Sequence, residues 1–231
     1  MDINGIQKLT LLDFPRKIAC TLFTGGCNLR CPFCHNASLV LADRADGAII
    51  EEEDVFKFLR SRRGILEGVC ISGGEPTLQP DLPDFIRKVK ELGYAVKLDT
   101  NGTNPQMLEQ IIREGLCDYV AMDIKNCPEK YAETVGIPDF STENVEKSLS
   151  LLRSSGIPYE LRTTVVRQFH TPEDLEAIGR WLGDAPAYYL QNFKDSGNLI
   201  QSGLSGFSPE ELQQLANSAR KYLKTVMIRG D

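Results

Sequence analysis

Gly25-Gly26-Cys27-Asn28-Leu29-Arg30-Cys31-Pro32-Phe33-Cys34-His35-Asn36 carries three of the chain's seven cysteines within eight residues, spaced Cys-x3-Cys-x2-Cys. Just ahead of it, Ile18 to Phe23 is a short apolar, partly β-branched run that ends at Gly25 and reads as a buried strand. Cysteines at i, i+4 and i+7 could share one helix face and serve only as core. Pro32 argues against this, because inside a helix it removes a backbone donor and clashes with the preceding turn. Gly25-Gly26 and Asn28 likewise favour an irregular loop. A structural zinc site would need four ligands in paired groups, and the chain has no second Cys-x2-Cys and no His pair. His35 follows Cys34 too closely to complete a tetrahedron comfortably. Three thiolates suit a four-iron, four-sulfur cluster better, because such a cluster usually takes four cysteines. With three, one iron keeps an open position for an outside ligand, the same logic that separates catalytic from structural zinc.

Outward from this loop the chain alternates strand and helix. Gly68 to Ser72, Ala95 to Asp99, Tyr119 to Asp123, Tyr159 to Val166, Tyr188 to Phe193 and Lys224 to Arg229 read as strands, and the first seventeen residues as an extended lead-in. Helices lie between them. Glu51 to Asp54 opens one that ends in Arg60, Arg62 and Arg63, so its charges complement the helix dipole. Leu82, Phe85, Ile86 and Val89 mark a second, and Leu108, Ile111 and Ile112 a third. After a longer loop, Ser141 caps a fourth bearing Val145, Leu149 and Leu152. Thr171-Pro172 and Ser208-Pro209 open the last two with a capping hydroxyl and a proline at the first helical position. Such alternation implies parallel strands with right-handed crossovers. Six units are too few for an eight-stranded barrel, so the expected fold is α/β, an open, partial (β/α)6 TIM-like barrel. One domain over residues 1–231 is expected, with the cluster loop at 25–36.

The bulk numbers exclude some classes of function. A net charge of -6 argues against nucleic acid as the main partner. No apolar run approaches the roughly 20 residues that cross a bilayer, so no membrane partner is expected. The N-terminus lacks the layout of a signal peptide, and the expected location is the cytoplasm, where thiols stay reduced. Cys20, Cys70 and Cys117 are expected to pack as small apolar residues. Cys127, in a loop after Lys125, is the one remaining cysteine to watch.

The active site of such a barrel lies at the carboxyl ends of its strands. The second strand after the lead-in ends in Ser72-Gly73-Gly74-Glu75-Pro76, where glycines would let a ligand approach the backbone. The third ends in Asp99-Thr100-Asn101-Gly102, whose plain reading is an Asx-turn or helix cap. The fourth ends in Asp123-Ile124-Lys125, with carboxylate and ammonium on one side of the strand.

The cysteine loop, the Gly-Gly-Glu turn and the Asp-x-Lys element together resemble the radical S-adenosylmethionine (SAM) enzymes. That resemblance implies a [4Fe-4S] cluster held by Cys27, Cys31 and Cys34, whose open iron takes the amino and carboxylate groups of SAM. It also implies that Gly73, Gly74 and Glu75 hold the methionine amino group, and that Phe33 and His35 flank the adenine. In the glycyl-radical-enzyme activating enzymes, Asp123 and Lys125 match residues on the SAM ribose and carboxylate. Asp99 matches an aspartate that helps hold a monovalent cation there, and Arg162 an arginine reaching toward SAM. Lys194 aligns where formate-lyase activases carry a histidine, a departure from that subgroup. The family mechanism needs no general acid or base, so no catalytic side chain is expected: reductive cleavage of SAM gives a 5′-deoxyadenosyl radical that takes a hydrogen atom from the substrate.

No second cysteine cluster stands between Cys34 and Ser72, so the ferredoxin-like insert of many activases is absent. Gly5-Ile6-Gln7-Lys8-Leu9, Leu12-Asp13-Phe14-Pro15-Arg16-Lys17-Ile18 and Cys34-His35-Asn36 resemble the activating proteins of anaerobic ribonucleotide reductase. The partner implied is that glycyl radical enzyme, with a flavodoxin or ferredoxin as electron donor. Arg60, Arg62 and Arg63 are a candidate face for the donor, with a plain solvated helix end as the alternative. Other readings left open are a pyruvate formate-lyase-type activase, a radical SAM enzyme acting on a small molecule, and a zinc-binding interaction module.

Overall fold

The computed structural model describes residues 1–41, 49–195 and 197–229. In chain order the strands are β1 (Ile3–Thr10), β2 (Ala19–Thr24), β3 (Gly68–Gly73), β4 (Ala95–Thr100), β5 (Tyr119–Asp123), β6 (Tyr159–Val165), β7 (Tyr188–Asn192) and β8 (Val226–Arg229). The helices are α1 (Ala37–Leu41), α2 (Glu52–Ser61), α3 (Leu82–Glu91), α4 (Pro105–Arg113), α5 (Tyr131–Val135), α6 (Glu143–Ser155), α7 (Pro172–Leu182) and α8 (Pro209–Arg220). The chain forms two compact units. The first comprises Met1–Asn28, Ser38–Ala121 and Asn144–Pro158, and the second Leu29–Ala37, Met122–Glu143 and Tyr159–Asp231.

In the first unit β2, β3 and β4 run parallel as neighbours. Ala19 pairs with Gly68 and Thr24 with Gly73, then Gly68 with Ala95 and Ile71 with Leu98. Parallel strands covered on both faces need apolar residues at nearly every position. Ala19, Cys20, Leu22, Val69, Cys70, Ile71, Val96 and Leu98 are all fully buried. α3 lays Leu82, Phe85, Ile86 and Val89 into this core, the stripe its sequence predicts. α4 begins where the Asn104 side chain accepts from the Met107 amide at 3.2 Å, ahead of Pro105.

The second unit repeats the construction. β6, β7 and β8 are parallel neighbours, pairing Leu161 with Tyr188 and Tyr188 with Val226. Just past β5, the Ile124 amide donates to the Arg162 carbonyl at 2.8 Å. α7 and α8 open as expected, each with a full capping box, Thr171 with Asp174 and Ser208 with Glu211. Glu160, buried within β6, is held by two bonds from Arg229 at 2.7 and 3.0 Å.

Several details depart from the sequence reading, among them the short α1 directly after the cluster loop and a 3-10 turn at Pro76–Leu78. The lead-in is a strand, β1, antiparallel to β2, with register shifts between Ile3 and Gly5 and between Gln7 and Thr10. Asn4 and Gly5 are poor strand formers, so pairing with β2 creates this strand rather than propensity. The long loop before α6 contains a 3-10 turn, Pro128–Lys130, and the five-residue α5, which stops at left-handed Gly136. Elements this short carry no readable helical period and depend on tertiary packing. The last strand starts at Val226, two residues later than expected. No helix among the described residues is long and apolar enough to cross a membrane.

Candidate functional site

In the first unit the end of β2, the Gly-Gly-Glu turn after β3 and the end of β4 are tied together through backbone. The Gly74 amide donates to Thr24 and the Glu75 amide to Gly26, both at 2.8 Å. A β-carbon on Gly74 would lie 1.9 Å from the Gly26 carbonyl oxygen, and one on Gly73, at φ +117°, 2.3 Å from the Thr24 amide. The two glycines are therefore required by the approach of one turn to the other, whatever a ligand demands.

Glu75 is fully buried. Its Oε1 accepts from the Thr77 amide at 3.1 Å, the Thr100 hydroxyl at 2.7 Å and the Thr77 hydroxyl, and its Oε2 from the Asn101 amide at 2.6 Å. Burial pushes its pKa above the usual glutamate value, and donors from Thr77, Asn101 and Thr100 pull against that shift. Its carboxylate is spoken for by the fold. Asn101, which the sequence suggested only as a turn residue, does more. Its side-chain amide lies 3.8 Å from the Cys27 sulfur and donates to Asn28 at 3.0 Å. Its own oxygen accepts from Thr103, whose hydroxyl in turn accepts from Asn28 at 2.9 Å. Cys27 is thereby fixed by the residues after β4, a contact no local pattern could announce. Asp99 is also buried, paired with Lys97 and bonded by the Ser72 hydroxyl at 3.1 Å.

The second unit holds the rest of the loop. Pro32 sits in a tight turn, with the Cys34 amide donating to the Cys31 carbonyl at 3.0 Å, as the non-helical reading requires. The Arg30 amide donates to Val135 at 2.8 Å, and Gly136 packs where a β-carbon would stand 2.5 Å from the Arg30 carbonyl oxygen. Phe33 is buried, its ring 5.8 Å from that of Phe169. His35 lies 5.3 Å from the ring of Phe193 and bonds the Lys194 backbone. Burial first, and Lys125 second, lower its pKa, so it is neutral near pH 7. The Lys194 side chain itself is exposed.

Asp123, Lys125 and Arg162 form one charged group. Lys125 Nζ donates to Asp123 Oδ2 at 2.8 Å, and Arg162 Nε bonds the other oxygen. Arg162 thus turns onto Asp123 instead of standing out in solvent. Burial opposes the Asp123 charge, but Arg162 and Lys125 outweigh it and hold the carboxyl well below the usual range. Burial likewise opposes the Lys125 charge, and Asp123 and Cys31 outweigh it. Asp123 keeps 27% of its side-chain exposure and Lys125 17%, so the group can be reached from outside the core. The buried His170, unremarked in the sequence, supports this element: its Nε2 donates to the Lys125 carbonyl at 2.8 Å, and its Nδ1 accepts from the Val166 amide at 3.1 Å.

No disulfide joins any of the seven cysteines. Burial pushes the Cys20 and Cys117 thiols up to about 12 and Cys127 up to about 11, which makes them inert packing residues. Cys27 and Cys34 are partly exposed, and Cys31 is buried. Three unbridged thiols, one already within reach of an amide N–H, are a donor set that fits an iron–sulfur cluster. Among the described residues no three His, Cys, Asp or Glu side chains are gathered at metal-binding distance, so the cluster assignment rests on spacing and kinship.

The kinship is direct. Residues 21–182 match the radical SAM superfamily. A Methanocaldococcus jannaschii protein carried under the provisional name of a glycyl-radical enzyme activating enzyme is 35% identical, over 98% of this chain and 95% of its own. The pyruvate formate-lyase-activating enzyme of Clostridium pasteurianum is 34% identical, over 54% of this chain and 52% of its own. Among solved structures, a domain of the pyruvate-formate lyase-activating enzyme of Bacteroides vulgatus superposes with a TM-score of 0.58 at 20% identity, covering 71% of this chain and 99% of that one. SuiB of Streptococcus suis superposes with a TM-score of 0.68 at 17% identity, over 89% of this chain and 47% of that one. These likenesses show the fold, the α/β architecture of parallel strands of the radical SAM enzymes, and the cofactors follow from the family: a [4Fe-4S] cluster and S-adenosylmethionine. The chain belongs to the radical SAM superfamily, in its family of glycyl-radical-enzyme activating enzymes.

Proposed function

We propose that this enzyme installs a glycyl radical on a partner protein, and that the partner is an anaerobic ribonucleotide reductase. The observation that carries the reading is the three-cysteine loop directly after β2, in a chain that covers almost the whole of a relative with an activase name. When bound, the cluster supplies the electron that cleaves SAM reductively.

The chain's own residues hold and orient. Cys27, Cys31 and Cys34 are assigned to the cluster, and Asn101 donates toward the first of them. The turn at Gly73 and Gly74 would offer SAM its backbone, held in shape by the hydrogen bonds that Glu75 accepts. Asp123, Lys125 and Arg162 present a reachable set of two positive charges and one negative, suited to a ribose and a carboxylate. Phe33 and neutral His35 offer flat apolar faces for an adenine. Lys194 is left as a peripheral contact of the nucleotide. The reductant is a flavodoxin or ferredoxin. Of the charges suggested for its docking, Arg60 pairs with Glu53, Arg62 lies over Phe58 and Arg63 donates to Leu92, so each is engaged within the chain. Seven cysteines without a disulfide agree with a cytoplasmic setting.

The choice of partner rests on the resemblance of residues 12–18. In the fold this stretch is structural: Phe14 is buried beside Gly68, and Asp13 accepts from the Thr21 hydroxyl. It speaks of lineage rather than recognition. Similarity to pyruvate formate-lyase-activating enzymes of Clostridium pasteurianum and Listeria monocytogenes supports a second reading with that lyase as partner. Reconstituted enzyme, SAM and a strong reductant, incubated anaerobically with each glycyl radical enzyme in turn, decide between them. A glycyl doublet in electron paramagnetic resonance with the reductase alone supports the proposal. A doublet with the lyase alone transfers it, and SAM cleavage stimulated only by a small metabolite ends the activase reading.

A further inference from the structure

Lys97 lies in the middle of β4 and is 1% exposed. Its neighbours Val96 and Leu98 are fully buried apolar residues, while Lys97 and Asp99, two apart, share the opposite side of the strand. The Lys97 ammonium sits on Asp99 Oδ1, with the Cys70 sulfur 3.8 Å away. The other carboxylate oxygen accepts from the Ser72 hydroxyl at 3.1 Å. A lysine so deep in a fold persists only with a close countercharge, and this carboxylate is that countercharge. The resemblance to other activases implies a monovalent cation on Asp99. The residues present do not fit one, because an ammonium fixed on the same carboxylate would repel it and each oxygen already has a partner.

We infer that Lys97 is a built-in cation, a positioning residue that gives Asp99 from within the fold the positive charge an inorganic ion would otherwise bring, so that this enzyme needs no monovalent metal ion. The inference rests on the reading of the β4 end as part of the SAM site. Its consequence is a difference in cofactor demand: where Asp99 stands beside an ammonium, potassium and sodium are interchangeable with any bulky cation.

Two measurements test it. In the first, the reconstituted protein, with its cluster oxidised and diamagnetic and its loop cysteines thereby occupied, is titrated with thallium(I) under thallium-205 resonance, a potassium mimic that reports binding without any activity. The wild-type chain should show no specific site, whereas Lys97→Met should acquire one that Asp99→Asn abolishes. In the second, SAM affinity of the reconstituted enzyme is measured by calorimetry in potassium, sodium and tetramethylammonium chloride at equal ionic strength. The wild-type dissociation constant should stay within about twofold across the three, and Lys97→Met should weaken by about tenfold or more in tetramethylammonium and recover in potassium. Specific thallium binding by the wild type, or a wild-type affinity that collapses in tetramethylammonium, overturns the inference. If Lys97→Met does not fold, the wild-type arms still decide, and Lys97→Met with Asp99→Asn removes both charges together. Failure to bind SAM in every salt would strike the SAM-site reading, and the thallium result would still judge Lys97 by itself.

Discussion

The strand ends of the first unit and those of the second both set acids beside donors or bases, but with opposite economy. Glu75, after β3, and Asp99, near the end of β4, are buried and every carboxylate oxygen has a partner inside the fold. After β5, Asp123 and Lys125 keep part of their surface while paired, and Arg162 completes the group from β6. The first arrangement spends its polar groups on shape: it locks two glycine turns together and aims Asn101 at Cys27. The second leaves charge within reach of a ligand. A carboxylate at a strand end is therefore not evidence of ligand contact by itself, and its remaining exposure decides which job it does.

Substitutions can break that contrast. The largest effect belongs to the cysteine loop. Cys31→Ala should leave SAM cleavage at background, with iron and sulfide in the reconstituted protein well below a full cubane; intact 5′-deoxyadenosine production would sink the whole account. Next, Glu75→Gln strands donors in a fully buried site, and should lower stability by about 2 kcal/mol while sparing SAM affinity in the protein that remains folded. Asp123→Asn should weaken SAM binding by about tenfold or more, and at neutral pH it should also give up the stability that pairing with Lys125 and Arg162 supplies. Equal loss of SAM affinity in both variants would erase the difference between the two regions.

The same pair should differ in the sign of its pH dependence. Asp123 is held below its unfolded value of about 3.9, so its stabilising share is complete above that value and is lost as pH falls through the folded pKa. Glu75 is held above its unfolded value of about 4.3, so ionising it costs stability as pH rises through the folded pKa, and the cost vanishes in acid. Denaturant melts between pH 3 and 7 should show the wild type gaining on Asp123→Asn as pH rises and losing on Glu75→Gln. Parallel slopes would contradict the assigned environments. The smallest effect should come from Asn101→Ala, which removes an N–H donor near the Cys27 sulfur. Redox titration followed by electron paramagnetic resonance should find the cluster potential more negative, with SAM cleavage retained under strong reductant. An unchanged potential would limit Asn101 to holding the Asn28 loop.

Much of this was open to reading along the chain. The apolar runs of β2 to β7, the proline-led caps of α7 and α8 and the bend at Pro32 all follow from contacts within a few residues, which sequence periodicity and turn chemistry report directly. The cysteine spacing, the Gly-Gly-Glu turn and the Asp-x-Lys pair were legible for the same reason. β1 was not, since its strand character comes from pairing with β2, and α5 was too short to show a period.

The sequence by itself determined the cluster motif, the strand–helix alternation and the family, because each is written in residues close together in the chain. Only the tertiary structure decided that Glu75 faces inward, that Asn101 reaches Cys27 74 residues away, that Arg162 turns onto Asp123, and that Lys97 is sealed against Asp99. Whether a polar side chain meets water, a ligand or another part of the fold depends on which strand ends packing brings side by side and on how much water it leaves there, and no local pattern encodes either.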